Sequence, residues 1–450
     1  MSPRRAAQAA ARRLALLALA AALAGCGADT WLGGGETDPP LPGERISVLL
    51  LERTLEPDPE LLSEPVTLPR PMVNPAWPVP GGTPEHALHH LAVADRLSVA
   101  WSRDFGAGET DDNLILSEPV IAAGHAFVLD SETNVVALDL ASGRVAWERD
   151  LMPDYEDSAA SLGGGVAYGY GRVFAATAFG EVVALEAATG EPLWAQTIGA
   201  PLRAAPTVAD GRVFVIAFDN RLFALDARDG AVLWQHAGIT ESAGLLGAAV
   251  PAVSGDLVIA SYSSGEVVAL RVENGRQAWS DSLIFQGRFG ARTNLSDVDA
   301  SPVVDRGVVI AVSQSGRLVA IDLRSGLRVW DQEIASAQTP WLAGDYIFVV
   351  TTDAQLVCLR RADGRIRWVT ALPAFEDPDE REGPILWSGP VLAGDRLIVA
   401  GSHGVALAVS PYTGQVLGRQ PLPDGVRVAP IVADQTLYLL TRDAELVAMR

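Results

Sequence analysis

From about residue 97 onward, apolar and polar positions alternate in short runs broken by Gly, Asn, Asp or Ser. That period of two reads as half-buried β-strands joined by tight turns. One phrase recurs through the pattern: a small-apolar pair, a Gly five residues later, then a Trp four residues after that. It stands at Ala137-Leu138, Gly143, Trp147; at Ala184-Leu185, Gly190, Trp194; and at Ala224-Leu225, Gly230, Trp234. It returns at Ala269-Leu270, Gly275, Trp279; at Ala320-Ile321, Gly326, Trp330; and at Cys358-Leu359, Gly364, Trp368. A seventh copy keeps Ala408-Val409 and Gly414 but has Gly418 where the others have Trp. Spacing inside the phrase is constant, while successive Trp residues lie 38 to 51 residues apart. Constant cores with variable gaps describe one structural unit repeated between loops of different length.

Each unit resolves into four strands; in the fifth copy these are expected at 301–304, 308–313, 317–322 and 327–332. The Gly suits a hairpin between the last two strands that needs a positive φ. The Trp falls on the outermost strand, where its face can pack between neighbouring units, and the small residue of the pair allows close packing on the third strand. Four-stranded units of this length are propeller blades. The chain ends on an incomplete eighth unit, with strands at 428–433, 435–441 and 445–449. The missing outer strand is supplied by 97–104, which carries Trp101. The expected fold is all-β: an eight-bladed β-propeller over 97–450 whose ring is closed by an N-terminal strand completing the C-terminal blade, so that the joint is not left as an open edge.

Ahead of the propeller the pattern changes twice. Arg4, Arg5, Arg12 and Arg13 precede an unbroken Leu/Ala run over 14–23, too short for a membrane span but right for the apolar region of a signal peptide over 1–25. The run leads into Leu23-Ala24-Gly25-Cys26, which is similar to a bacterial lipobox, so Cys26 is expected to carry the lipid, palmitate included. Gly27 in place of Asp favours the outer membrane, with the protein facing the periplasm. Residues 26–96 are dense in Pro and read as a tether and capping segment, with Trp77 pinning its end to the folded body. The run 46–51 is apolar enough to pair locally. His86, His89 and His90 stand together without a Cys or carboxylate at ligand spacing, so a rim cap is favoured over a metal site.

Charge narrows the function. The net charge is -21, and four of the 34 basic residues lie in the signal segment, which leaves the remainder more acidic still. Such a surface repels phosphate backbones and argues against nucleic acid as a partner. Every basic residue is Arg, which excludes Lys-dependent phosphate cradles and Schiff bases. Besides Cys26 there is one cysteine, Cys358, in the small-apolar position of a strand, where it reads as buried packing. The acidic runs 154–157 and 376–382 follow no calcium-loop spacing. No catalytic arrangement suggests itself, and neither cofactor nor metal is expected.

With lipobox and Trp repeats in one chain, the sequence resembles the BamB family of propeller lipoproteins of the outer-membrane β-barrel assembly (Bam) machinery. The most specific segments are Leu295-Ser296-Asp297-Val298-Asp299-Ala300-Ser301-Pro302-Val303-Val304 and the run from Leu318 to Gly326. The repeat is also similar to the blades of pyrroloquinoline quinone (PQQ) dehydrogenases. The BamB resemblance implies a non-catalytic scaffold that assists outer-membrane protein assembly, docked to the periplasmic POTRA domains of a BamA-like barrel insertase. Other Bam subunits and unfolded outer-membrane proteins are the further partners it suggests. It implies a docking role for the acidic pair Asp297 and Asp299, and for a loop one blade earlier with Leu245, next to which Leu246 replaces the family's Arg. A PQQ-type periplasmic enzyme and a propeller binding some other envelope partner remain open alternatives.

Overall fold

The computed structural model describes residues 55–153, 163–240, 249–284 and 298–450. Cys26, Leu245, Leu246, Asp297 and the runs 46–51 and 154–157 lie outside the described residues. Within them the chain forms eight four-stranded antiparallel sheets, together with one isolated hairpin, Phe375–Asp377 with Glu382–Pro384. Blade 5 shows the common plan, with strands Val303–Asp305, Val308–Val312, Leu318–Asp322 and Arg328–Gln332 from the axis outward, each within two residues of its expected bounds. Its second and third strands are buried almost throughout, whereas its outermost alternates between half-buried and exposed positions. The core therefore lies between blades, near the axis.

Blade 8 is built from both ends of the chain. Ile431–Ala433, Thr436–Leu440 and Glu445–Met449 are completed by Val99–Asp104, which pairs antiparallel with Glu445–Met449 and sets Trp101 opposite Ala448. The expected ring closure is thus present.

The repeated phrase has a mechanical meaning that emerges only between blades. Each Trp stands opposite the small residue of its own blade, as Trp147 opposite Ala137, with a β-bulge immediately after the pair. Its indole N–H then reaches across the seam. Trp101 donates to the Leu140 carbonyl at 3.0 Å, Trp147 to Ala187 at 2.9 Å, Trp279 to Leu323 at 2.8 Å and Trp368 to Pro411 at 3.0 Å. Trp194, Trp234 and Trp330 make the same bond to Ala227, Val272 and Arg361. The ring lies on the Gly of that next blade. A Cβ on Gly143 would stand 2.8 Å from the Trp101 ring, and one on Gly190 2.5 Å from that of Trp147. The Gly is required twice over, for its φ of +66° at Gly143 and for this contact. Each Trp thus serves its own blade and the following one, so hydrophobic burial and a satisfied indole N–H bind the ring seam by seam.

Residues 55–96, read from sequence as the later part of a tether and capping segment, run along the blades. Asp58 N–H bonds to Ile366 O, and the Tyr346 hydroxyl donates to Pro65 O. Asn74 O accepts from Asp434 N–H, and Trp77 exchanges both backbone bonds with Ile121. Pro78, Pro84 and Glu85 carbonyls accept from Tyr168, Val253 and Val304, and Leu91 bonds to Leu392 and Gly394. This strap visits blades 6, 8, 1, 2, 4, 5 and 7 on the side of their innermost turns. Proline suits such a path, because edge groups on the blades supply the bonds and the strap needs few donors of its own. Trp77 and Leu91 are 1% and 0% exposed, so the strap is part of the core.

Candidate docking surface

Because strands alternate direction, the loops that join one blade to the next all emerge on the face opposite the strap-bound turns. The two loops singled out in the sequence link blades 3 to 4 and 4 to 5. Their described ends converge. Val250, which ends the first loop, donates its N–H to the Ser301 hydroxyl at the end of the second, at 3.0 Å. Ser301 in turn donates its N–H to the Thr339 hydroxyl at 3.1 Å, extending the link to blade 6.

Asp299, the described member of the acidic pair, lies between the buried Val298 and Ala300 and is half-buried. One of its carboxylate oxygens accepts a hydrogen bond from the Gln314 side chain of blade 5. Asp299 therefore positions its own loop as well as lending charge to it.

Three exposed apolar residues near these loops were not picked out from sequence. Phe218 is 38% exposed, Ile239 60% and Ile284 44%. Phe218 belongs to a turn of blade 3 that opens on this face, with the Arg203 guanidinium 3.9 Å from the centre of its ring. Ile239 and Ile284 begin the two inter-blade loops. Their signal in the sequence was an apolar residue just beyond the end of a strand, where alternation no longer calls for one. Asn220 holds this region together: its amide donates to Ile239 O at 2.7 Å and its side-chain oxygen accepts from Ser263.

Along the axis is a cavity of about 170 Å³, floored by Trp77, Gly81 and His86 of the strap and reaching Glu118, Asp299 and Gln338. Burial raises the Glu118 pKa, opposed by the N–H bonds that Gly81 and the Trp77 indole donate to one carboxylate oxygen. Burial likewise holds His86 down to about 4, against the bond between its Nδ1 and Pro302 O. His86 is therefore neutral at ordinary pH, with Nδ1 as the donor. The other two histidines of the strap turn to different blades: His90 Nε2 accepts from Asp395 N–H, and His89 Nε2 lies 3.6 Å from Asp305. Among the described residues no three His, Cys, Asp or Glu side chains form a metal-binding group. Cys358 is fully buried, and its thiol pKa is raised by desolvation.

Comparison with known proteins places this architecture. A family profile described as "Outer membrane protein assembly factor BamB" matches residues 131–370 and 376–450. The chain is 28% identical over 355 residues to the outer membrane protein assembly factor BamB of Yersinia pestis, covering 77% of this chain and 87% of that one. It is 29% identical over 358 residues to its namesake in Salmonella typhimurium, covering 78% and 88%. Among solved structures, BamB from Moraxella catarrhalis superposes with a TM-score of 0.66 at 21% identity, over 79% of this chain and all of that one. A europium-containing methanol dehydrogenase gives the same TM-score at 15% identity, over 83% and 98%. At these identities the two structures speak for the fold alone.

Proposed function

The chain belongs to the family of outer membrane protein assembly factor BamB, and on that basis we propose that it is a non-catalytic scaffold of outer-membrane protein assembly, docking to the periplasmic domains of a barrel insertase. Family membership carries the assembly role and its site of action at the outer membrane. The docking surface is our reading of the face that bears the loops with Leu245 and Asp297. The observation that carries it is the Val250–Ser301 hydrogen bond, which ties the two loop ends together. Loops anchored on rigid blades lose little conformational entropy on binding. Phe218, Ile239 and Ile284 are exposed apolar side chains near the described ends of these loops, the residue type that anchors protein–protein interfaces.

The same reading assigns Cys26 as the lipid anchor that holds the propeller to the periplasmic side of the outer membrane. Retrieval of the acylated protein from detergent-solubilised envelopes tests the whole proposal. The expected co-purifying partner is an insertase-sized barrel protein, with other subunits of its assembly. Recovery without it, or quinone-dependent dye reduction by the purified protein, would overturn the scaffold role.

A further inference from the structure

Seven seams of the ring are closed by a Trp lying on the Gly of the following blade, but the seam between blades 7 and 8 is built differently. Here the Trp position is Gly418, opposite Ala408. A Cβ at Gly418 would meet no atom within 4 Å. The small residues that face the Trp rings in the other blades, such as Ala137, Ala320, Cys358 and Ala448, are all 0% exposed. Ala408 alone among the eight is half-exposed. The difference has a cause in the topology. Blade 8 takes its outer strand from Val99–Asp104, so no turn joins its third strand to its fourth and there is no Gly shelf for an indole.

What remains at that seam is an apolar cavity of about 190 Å³. Ile398, Ala408 and Gly418 line it from blade 7, in the places held in blade 6 by Phe348, Cys358 and Trp368. Leu437, Leu439 and Met449 line it from blade 8. For scale, a buried apolar cavity of about 150 Å³ accepts benzene. Arg396 and Arg419 also line it, in a chain whose net charge is -21; the Arg396 guanidinium donates to the Asp95 and Ala94 carbonyls, so the charge open to a partner is that of Arg419. Arg419 forms no ion pair among the described residues. The strand Val416–Pro421 beside the cavity is exposed along its whole length, including Val416 and Leu417, and among the described residues it is the outer edge of its sheet.

We propose that the seam between blades 7 and 8 is a docking groove for an extended segment of a partner protein, which inserts an aromatic side chain where the other seams hold Trp and sets adjacent carboxylates against Arg419. The aromatic choice follows from the seven filled seams, and the acidic choice from charge complementarity at an arginine border. The groove is separate from the loops between blades 3, 4 and 5, so it does not depend on the insertase-docking reading.

The test uses the full chain and the capped peptide Val-Asp-Trp-Asp-Val, followed by methyl NMR at Met449 and by equilibrium titration. Saturable binding is expected, with peptides carrying Ala for Trp, or Lys for both Asp, bound roughly tenfold or more weakly. Gly418→Trp fills the groove, raises the melting temperature and abolishes peptide binding while leaving insertase capture intact. Ile398→Phe copies the residue of blades 1, 2, 3 and 6 and narrows the cavity from its inner side; it should weaken binding about threefold or more. Arg419→Glu should remove the preference for the acidic peptide. No binding by the unaltered chain, or equal binding by Gly418→Trp and Ile398→Phe, overturns the proposal.

Discussion

Val250 donates its backbone N–H to the Ser301 hydroxyl across 51 residues of sequence, and that bond joins the ends of the two loops on which insertase docking is proposed to rest. Losing it should loosen the loops relative to each other without opening a blade. Ser301→Ala is therefore expected to leave cooperative melting nearly unchanged, at a cost of about 1 kcal/mol, while weakening insertase binding severalfold. Calorimetry and a titration against the insertase's periplasmic domains read the two effects separately.

Charge reversal on the acidic pair is the stronger perturbation. Asp297→Arg with Asp299→Arg removes acceptors for a partner's Arg or backbone N–H, and truncating one side of such a pair costs about 2–5 kcal/mol, at the lower end roughly thirtyfold in affinity. Leu245→Glu should act in the same direction. Reversal of Asp377 and Glu380, on the exposed hairpin after blade 6, is the control expected to change little. Because Asp299 accepts from Gln314, circular dichroism must show each variant folded. Wild-type affinity in a folded double variant would remove these aspartates from the interface.

The Trp–Gly couples predict opposite outcomes for one substitution at two sites. Gly143→Ala forces a Cβ against Trp101 at a φ of +66° and should cost about 1–3 kcal/mol. Gly418→Ala meets open space and should be neutral or slightly stabilising. Thermal melts of the two variants side by side decide it; equal destabilisation would contradict the seam assignment.

Both chain ends should be needed for the ring. Deleting 436–450 strips two strands from blade 8 and leaves Val99–Asp104 unpaired, so sharp melting should give way to a broad transition or to aggregation. A truncated chain that melts as sharply as the intact one would speak against closure.

Acid should loosen the strap through His86. Its folded pKa is depressed to about 4 from 6.5, so between those values the unfolded chain binds more protons than the native one. The stabilisation from a neutral, buried His86 is thus complete above about pH 6.5 and falls as the pH drops toward 4, by about 3 kcal/mol in total. In His86→Gln that part of the pH dependence should vanish. Urea titrations of both proteins at several pH values measure it, and parallel curves would argue against His86 as the source.

Cys26→Ser should release the protein from the membrane or leave its signal segment attached. Fractionation after a carbonate wash is the measurement, and a cleaved variant still held in the outer membrane would refute the anchor.

The repeating pattern of strands, the blade count and the closure through Trp101 were legible in the sequence because they follow from local rules: a period of two for strands and a positive φ for the turn Gly. The sequence also pointed to Asp299 and to the loop preceding Val250, through resemblance to a family. Tertiary structure decided what has no local signature. It showed that each Gly receives the Trp of the preceding blade, because the contact spans about forty residues and only the ring brings the two together. It turned the end of a Pro-rich stretch into a strap, since a segment with few donors of its own becomes ordered only where blades offer unpaired edge groups. And it gave Gly418 a meaning: in sequence it is a missing Trp, but in space it marks the one joint where a blade split between the two chain ends has no turn to receive one.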